Sequence, residues 1–209
     1  MIRKTTILTI ILVLLTANNG FSNLLEQELD ESTLKVLLNK GELILLKEEN
    51  GKIKYITLAI IIDAPLDKVW QVITDFENYP DFIPGHKDCK IIKRHGNKIT
   101  VESAVTFKFM GIGSTVKYTT KYILKKPELI IFDTEKNRET GCYKLIPIDQ
   151  GKRVVLFRTK EAVDVDNFGR VAKFLIIQKP EMEFSMQVSP LRININAIKE
   201  RAEVYKVNE

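Results

Sequence analysis

Few side chains in this 209-residue chain could do chemistry. The candidates are the cysteines Cys89 and Cys142, the histidines His86 and His95, and four polar side chains in strand-like segments: Tyr118, Tyr122, Tyr143 and Arg158. An enzyme needs a nucleophile with its base, paired carboxylates or a polar constellation in a cavity. No motif of the first two kinds is present, so no catalytic residue is assigned. Both histidines fall near strand ends without Cys or carboxylate partners at ligand spacing, so neither a metal site nor a cofactor is expected. Two cysteines are not a disulfide framework, and buried free thiols are the expectation over a bridge. The third kind of site remains open. If Arg158 and the tyrosines point inward, they are the polar groups of a cavity. The plainer and preferred reading puts Arg158 in solvent and the tyrosines in the core, with their hydroxyls near the rim.

The first residues bear on where such chemistry would operate. Arg3 and Lys4 precede an apolar run from Ile7 to Leu15, and small or polar residues follow to Gly20-Phe21-Ser22. This is the pattern of a secretion signal, with cleavage expected after Ser22 or, failing that, Ala17. The apolar run is roughly half of what a helix needs to cross ~30 Å of hydrocarbon, which disfavours a permanent anchor. The mature chain is expected to be periplasmic or extracellular. Without residues 1–22, which contain two basic and no acidic residues, 30 Lys plus Arg stand against 27 Asp plus Glu. That near-balance, with no block of like charge, argues against a nucleic-acid partner.

The elements that would position the candidates follow from spacing and punctuation. Leucines across 24–38 read as a leading helix closed by Gly41. Glu42 to Lys47 and Ile53 to Ile62 read as strands joined at Asn50-Gly51, a hairpin signal. After Asp63-Ala64-Pro65, with Asp63 as a candidate cap, Leu66, Val69, Trp70 and Ile73 recur at helical spacing. A second short helix over Glu77 to Ile83 ends at Pro84-Gly85. From His86 to about Lys160 strands and tight turns alternate, which implies an antiparallel meander. Within it Ile99, Val101, Ser103, Val105 and Phe107 form one face of a strand, and Val116, Tyr118, Thr120, Tyr122 and Leu124 one face of the next. The last strand, Arg153 to Thr159, is apolar on both faces, so its orientation is ambiguous. After Pro190, with Ser189 as expected cap, Leu191, Ile195, Ile198, Ala202 and Tyr205 make the stripe of a C-terminal helix.

The stretch Ile62-Asp63-Ala64-Pro65, Val69-Trp70, Thr74-Asp75-Phe76-Glu77-Asn78-Tyr79-Pro80 and Phe82-Ile83-Pro84 resembles the opening signature of the START-like (SRPBCC; polyketide cyclase/dehydrase and lipid transport) superfamily. It is similar in particular to the coenzyme Q-binding branch. Gly141-Cys142-Tyr143-Lys144-Leu145 and the terminal helix from Ala197 are consistent with it. The resemblance implies an α+β helix-grip (START/Bet v 1-like) fold, a curved antiparallel sheet wrapped around a long C-terminal helix. The division it suggests is a signal peptide at 1–22, a leading helix and hairpin arm at 23–52, and the START-like domain at 53–206. It further implies a cavity between sheet and helix for a lipid, quinone or sterol-like molecule. The lining would come from Val101, Val105, Phe107, Val116, Tyr118, Tyr122, Tyr143, Leu145, Arg158, Ile195 and Ile198. Two apolar segments could serve its entrance: the Gly-hinged loop Phe109 to Gly113, which reads equally as a plain hairpin turn, and Phe168 to Ile177, which would cap the cavity or touch a membrane surface transiently. The function expected is non-catalytic binding or transport of a hydrophobic ligand, with a cyclase- or dehydratase-type enzyme in the same cavity as the alternative.

Overall fold

The computed structural model describes residues 11–14, 31–50, 52–109, 112–135, 139–163, 176 and 181–204. In chain order these form β1 (Ile11–Leu14), α1 (Glu31–Leu38), β2 (Leu43–Glu49), β3 (Lys52–Ile62), α2 (Leu66–Thr74), a 3₁₀ turn (Phe76–Asn78), α3 (Tyr79–Phe82), β4 (His86–His95), β5 (Lys98–Phe109), β6 (Ile112–Lys125), β7 (Leu129–Thr134), β8 (Glu139–Ile148), β9 (Arg153–Glu161) and α4 (Glu181–Val204). The described strands make one sheet in the order β1-β2-β3-β9-β8-β7-β6-β5-β4. β1 joins β2 in parallel, and the remaining neighbours are antiparallel. The leading helix is seen as α1, and residues 24–30 lie outside the described residues. The arm β2 is continuous with the domain's sheet, paired with β3 from Leu43↔Ala59 to Glu49↔Lys52. Their turn uses Asn50 at φ 55, a left-handed conformation that asparagine tolerates.

Both faces of β3 and β9 are covered. On the inner face, Ile56, Leu58, Ile60 and Ile62 join Val154 and Leu156 in one buried cluster with Trp70 and Ile73 of α2 and Leu191, Ile195 and Ile198 of α4. On the outer face, Ala59, Ile61, Val155 and Phe157 pack with Leu43, Leu45 and Leu38 of α1. A strand buried on both faces loses its period-two polarity, which is why the sequence of β9 left its orientation open.

Two helix starts differ from expectation. α2 begins after Pro65 with no side-chain capping bond. Asp63 does not cap it; its backbone N–H donates instead to Glu203 Oε1 at 2.8 Å, tying the start of α2 to the end of α4. Lys199 completes the tie by donating to the Ile61 carbonyl at 2.6 Å and to Glu203 at 2.9 Å. α4 starts not at Pro190 but at Glu181, so Ser189 is no N-cap and Pro190 lies inside the helix. Proline there removes one i→i−4 bond. The helix runs on because Val188 and Leu191, on either side, are anchored in the inner cluster.

Gly141 of β8 sits opposite Phe132 of β7 and beneath its ring. A Cβ at this position would collide with the Thr159 carbonyl oxygen and stand 2.6 Å from Phe132 Cζ. Gly141→Ala is therefore expected to destabilise the protein by ~1–3 kcal/mol through overpacking. Urea unfolding of the two proteins measures this, and coincident midpoints would refute it.

Candidate functional site

Register along β9 decides where Arg158 points. It shares the face of Val154 and Leu156, so it faces inward, against the preferred expectation of a solvent-facing side chain. Its side chain is only 12% exposed. The guanidinium lies against two rings, 5.4 Å from the Tyr143 centroid and 5.8 Å from that of Phe132. Its polar contacts are long: Nη2 to Glu139 Oε1 at 3.4 Å and Nη1 to the Pro190 carbonyl at 3.5 Å. Nε has none, and it is the only such fully buried side-chain N or O atom among the described residues. Lys160, next on the same face, is 4% exposed. Burial lowers its pKa, the Arg158 charge adds to that, and Glu139 opposes it.

Around this pair the sheet and α4 supply further polar groups. The buried Tyr143 hydroxyl donates to Asn194 Oδ1 of α4 at 2.9 Å. Tyr118 and Tyr122 stand on the inner face of β6, and burial holds both hydroxyls above the ordinary tyrosine range, so they stay neutral donors. Gln187 of α4 clasps the end of β9, accepting from the Val163 N–H at 3.1 Å and donating to its carbonyl at 2.6 Å.

A third group comes from β4. The ladder with β5 slips between His86 and Asp88, so Lys87 is bulged and His86 and Cys89 reach the same face. His86 Nδ1 is 3.1 Å from Cys89 Sγ, which is 3.4 Å from Ser103 Oγ. The expectation that His86 lacks a Cys partner is therefore corrected: a bulge brings together what strand alternation would separate. Burial, helped by the Arg158 charge, lowers the His86 pKa to about 4, while burial raises the Cys89 thiol. The pair is thus neutral imidazole and thiol, the opposite of an activated nucleophile. Cys142 lies on the outer face opposite Thr159, and both cysteines are free and buried.

Of the other expected lining residues, Val101 and Val105 are inward and buried, and Val116 is half-buried. Leu145, Ile195 and Ile198 are fully buried in the packed inner cluster. The side chain of Phe107 and the residues Met110 and Gly111 lie outside the described residues, as does the 168–177 segment apart from buried Ile176. Lys160, Glu139, Asn194 and the His86–Cys89–Ser103 group were missed. The signal for Lys160 was its place two residues after Arg158, in the same parity as the apolar Val154 and Leu156.

Inward-facing residues of β3 and α2 have almost no exposure, as at Ile56, Leu58, Ile62 and Ile73. On β6, by contrast, Val116, Tyr118, Tyr122 and Leu124 face inward yet keep part of their surface. α4 packs chiefly on β3, and it also meets β9, α2, α3 and, through Asn194, β8. The geometry is that of a helix-grip fold, in which a curved sheet closes on one long C-terminal helix. Residues 62–156 match the model of the family described as polyketide cyclase / dehydrase and lipid transport. No curated protein matches the chain. Among solved structures, the Zhui aromatase/cyclase from Streptomyces sp. R1128 is similar at 20% identity and TM-score 0.57, over 72% of this chain and 93% of that one. A STAR-related lipid transfer protein from Xanthomonas axonopodis is similar at 11% identity and TM-score 0.58, over 75% and 90%. A START superfamily protein from Mycobacterium smegmatis is similar at 16% identity and TM-score 0.52, over 73% and 99%. At these identities the likeness shows the shared fold.

The lowered His86 pKa sets a pH dependence. Below pH 6.5 the unfolded chain protonates this histidine, but the folded protein refuses the proton until about pH 4. Stability is thus expected to fall as pH drops through that window and to level off below it, with His86 accounting for about 2 kcal/mol at pH 5. Urea midpoints at pH 7 and pH 5 for wild type and His86→Gln test this. Equal losses in both proteins would remove His86 as the cause.

Proposed function

We propose that this protein is an exported, non-catalytic carrier or sensor that encloses a hydrophobic molecule between its sheet and α4. The observation carrying this reading is the partial exposure of inward-facing side chains on β6 while those on β3 are buried. A helix covering the full width of the sheet would bury both sets alike; here α4 packs on β3 and β9, and the inward side chains of β6 that keep part of their surface are aromatic and aliphatic. A concave apolar surface with a few convergent polar groups is what a small-molecule site requires. The lipid transfer description of one similar structure and the lipid transport part of the matched family's description support the same reading. The ligand class is a lipid, quinone or sterol-like molecule. The resemblance to coenzyme Q-binding proteins is a guide to fold more than to ligand, because a protein sent across the membrane is remote from cytoplasmic quinone synthesis. Delivery or pickup would involve transient contact with a membrane surface.

Two measurements test this. Mass spectrometry of organic extracts from protein purified out of its own host is expected to find a co-purified hydrophobic molecule. An empty extract, together with no binding of quinone, sterol or phospholipid probes, would overturn the proposal. N-terminal sequencing of the same material is expected to begin at Asn23, so that β1 leaves the edge of the sheet with the cleaved signal and β2 becomes the edge strand. Retention of Met1, or of the apolar run, would overturn export by cleavage.

A second reading, a cyclase- or dehydratase-type enzyme, draws on the inward Arg158 and Tyr118, and on the aromatase/cyclase among the similar structures. It requires that substitution of Arg158 or Tyr118 abolish turnover of a bound substrate without loss of binding.

A further inference from the structure

The polar end of the inner face carries a charge imbalance. Arg158 and Lys160 are successive inward residues of β9, spaced by roughly 6.6 Å of strand. Glu139, at the start of β8 on the same face, is the carboxylate that reaches Arg158. The other titratable groups nearby carry no charge at neutral pH: His86 has its pKa at about 4, and Tyr118, Tyr122 and Tyr143 are raised. Two cations therefore face one anion in a setting where water is largely excluded. Among the described residues no hydrogen bond or ion pair reaches the Lys160 ammonium.

The guanidinium is equally underused. Arginine offers five N–H donors in a fork suited to two oxygens of one group. Here its two protein oxygen contacts are at 3.4 and 3.5 Å, and Nε is buried with none. A purely structural role would be met by Arg158 with Glu139 alone, and an apolar side chain at 160 would fill its volume without the cost of desolvating an ammonium. The ring faces of Phe132 and Tyr143 hold the guanidinium plane in place, so the orphan donor is fixed in direction.

We propose that this end of the cavity is an anion site formed by Arg158 and Lys160, and that the ligand is an anionic amphiphile: a hydrophobic body ending in a carboxylate or phosphate. The inference rests on the cavity reading and narrows it. The acid group takes Arg158 Nε and the Lys160 ammonium, and the body lies along the half-buried inner face of β6 towards Tyr122. Neutral lipids and sterols of equal bulk leave both cations unmatched and bind more weakly.

The test uses 11-(dansylamino)undecanoic acid and its methyl ester, titrated against the full protein by fluorescence. The acid is expected to bind at least 10-fold tighter than the ester, about 1.4 kcal/mol. In Lys160→Met and Arg158→Met the ester affinity should hold while the acid falls towards it. Arg158→Lys, which keeps the charge but not the fork, should lose part of the preference, and near-UV circular dichroism establishes that each variant is folded. If Arg158→Met does not fold, Lys160→Met and Arg158→Lys carry the test alone. Dodecanoate and dodecyl phosphate should displace the acid probe, and dodecanol at equal concentration should not. Displacement by millimolar acetate or inorganic phosphate would mean a site for free anions and would overturn the amphiphile. Equal binding of acid and ester to wild type, or an undiminished preference in Lys160→Met, would overturn the anion site and leave the cavity reading standing. If neither probe binds, both fall together.

Discussion

The ladder from Tyr55↔Glu161 to Ile62↔Val154 joins two strands that the chain separates by α2, α3 and the whole meander of β4 to β8. Until it forms, the N-terminal hairpin has no sheet to belong to, and β9 has only one neighbour. Once formed, it creates strands buried on both faces, with α1 and the outer cluster on one side and α2 and α4 on the other. The inner alternation of β9 then follows without further choice. Val154 and Leu156 go into the core, and the next two positions of the same parity, Arg158 and Lys160, are carried inward with them. The polar end of the inner face is thus a consequence of strand register. A one-residue slip would place Phe157 and Thr159 inside and both cations outside.

Much of the architecture was legible in the sequence because it is written in local patterns. The hairpin at Asn50-Gly51 has its asparagine in the left-handed conformation such turns need. Alternation along β5 and β6 gave the inward face that the structure shows, with Ile99, Val101, Ser103 and Val105 buried and Glu102 exposed. The spacing of Leu66, Val69, Trp70 and Ile73 gave α2, whose buried face is Val69, Trp70, Val72 and Ile73. The antiparallel order of β4 to β9 followed from the tight turns between them.

What was not legible depends on contacts between distant segments. Arg158 read as solvent-facing because a strand apolar on both faces gives no parity signal; its direction is set by pairing with β3 and β8. His86 and Cys89 are three apart, a spacing that places them on opposite faces of a regular strand, and only the bulge at Lys87 reverses this. Asp63 looked like a cap, but its N–H is taken by Glu203, a residue at the other end of the domain. Tyr143 and Asn194 meet between β8 and α4, each looking ordinary in its own segment. The groups that distinguish this site from a packed core are the ones whose position is tertiary.

Pro190 gives α4 two mechanical halves. Its ring leaves the helix one backbone bond short of a full set, so bending costs less there than in an uninterrupted helix. Beyond the proline, Leu191, Ile195, Ile198 and Ala202 are rooted in the core, and Lys199 and Glu203 pin the end to β3 and the start of α2. Before it, among the described residues, the half from Glu181 is held by the amide of Gln187 to Val163, just beyond β9, and by Val188 and Phe184 in the inner cluster. The Pro190 carbonyl at the joint is itself one of the two oxygens near Arg158. Pivoting of the first half would therefore alter the guanidinium's surroundings directly, linking the elastic weak point of the grip helix to the charge within its grasp.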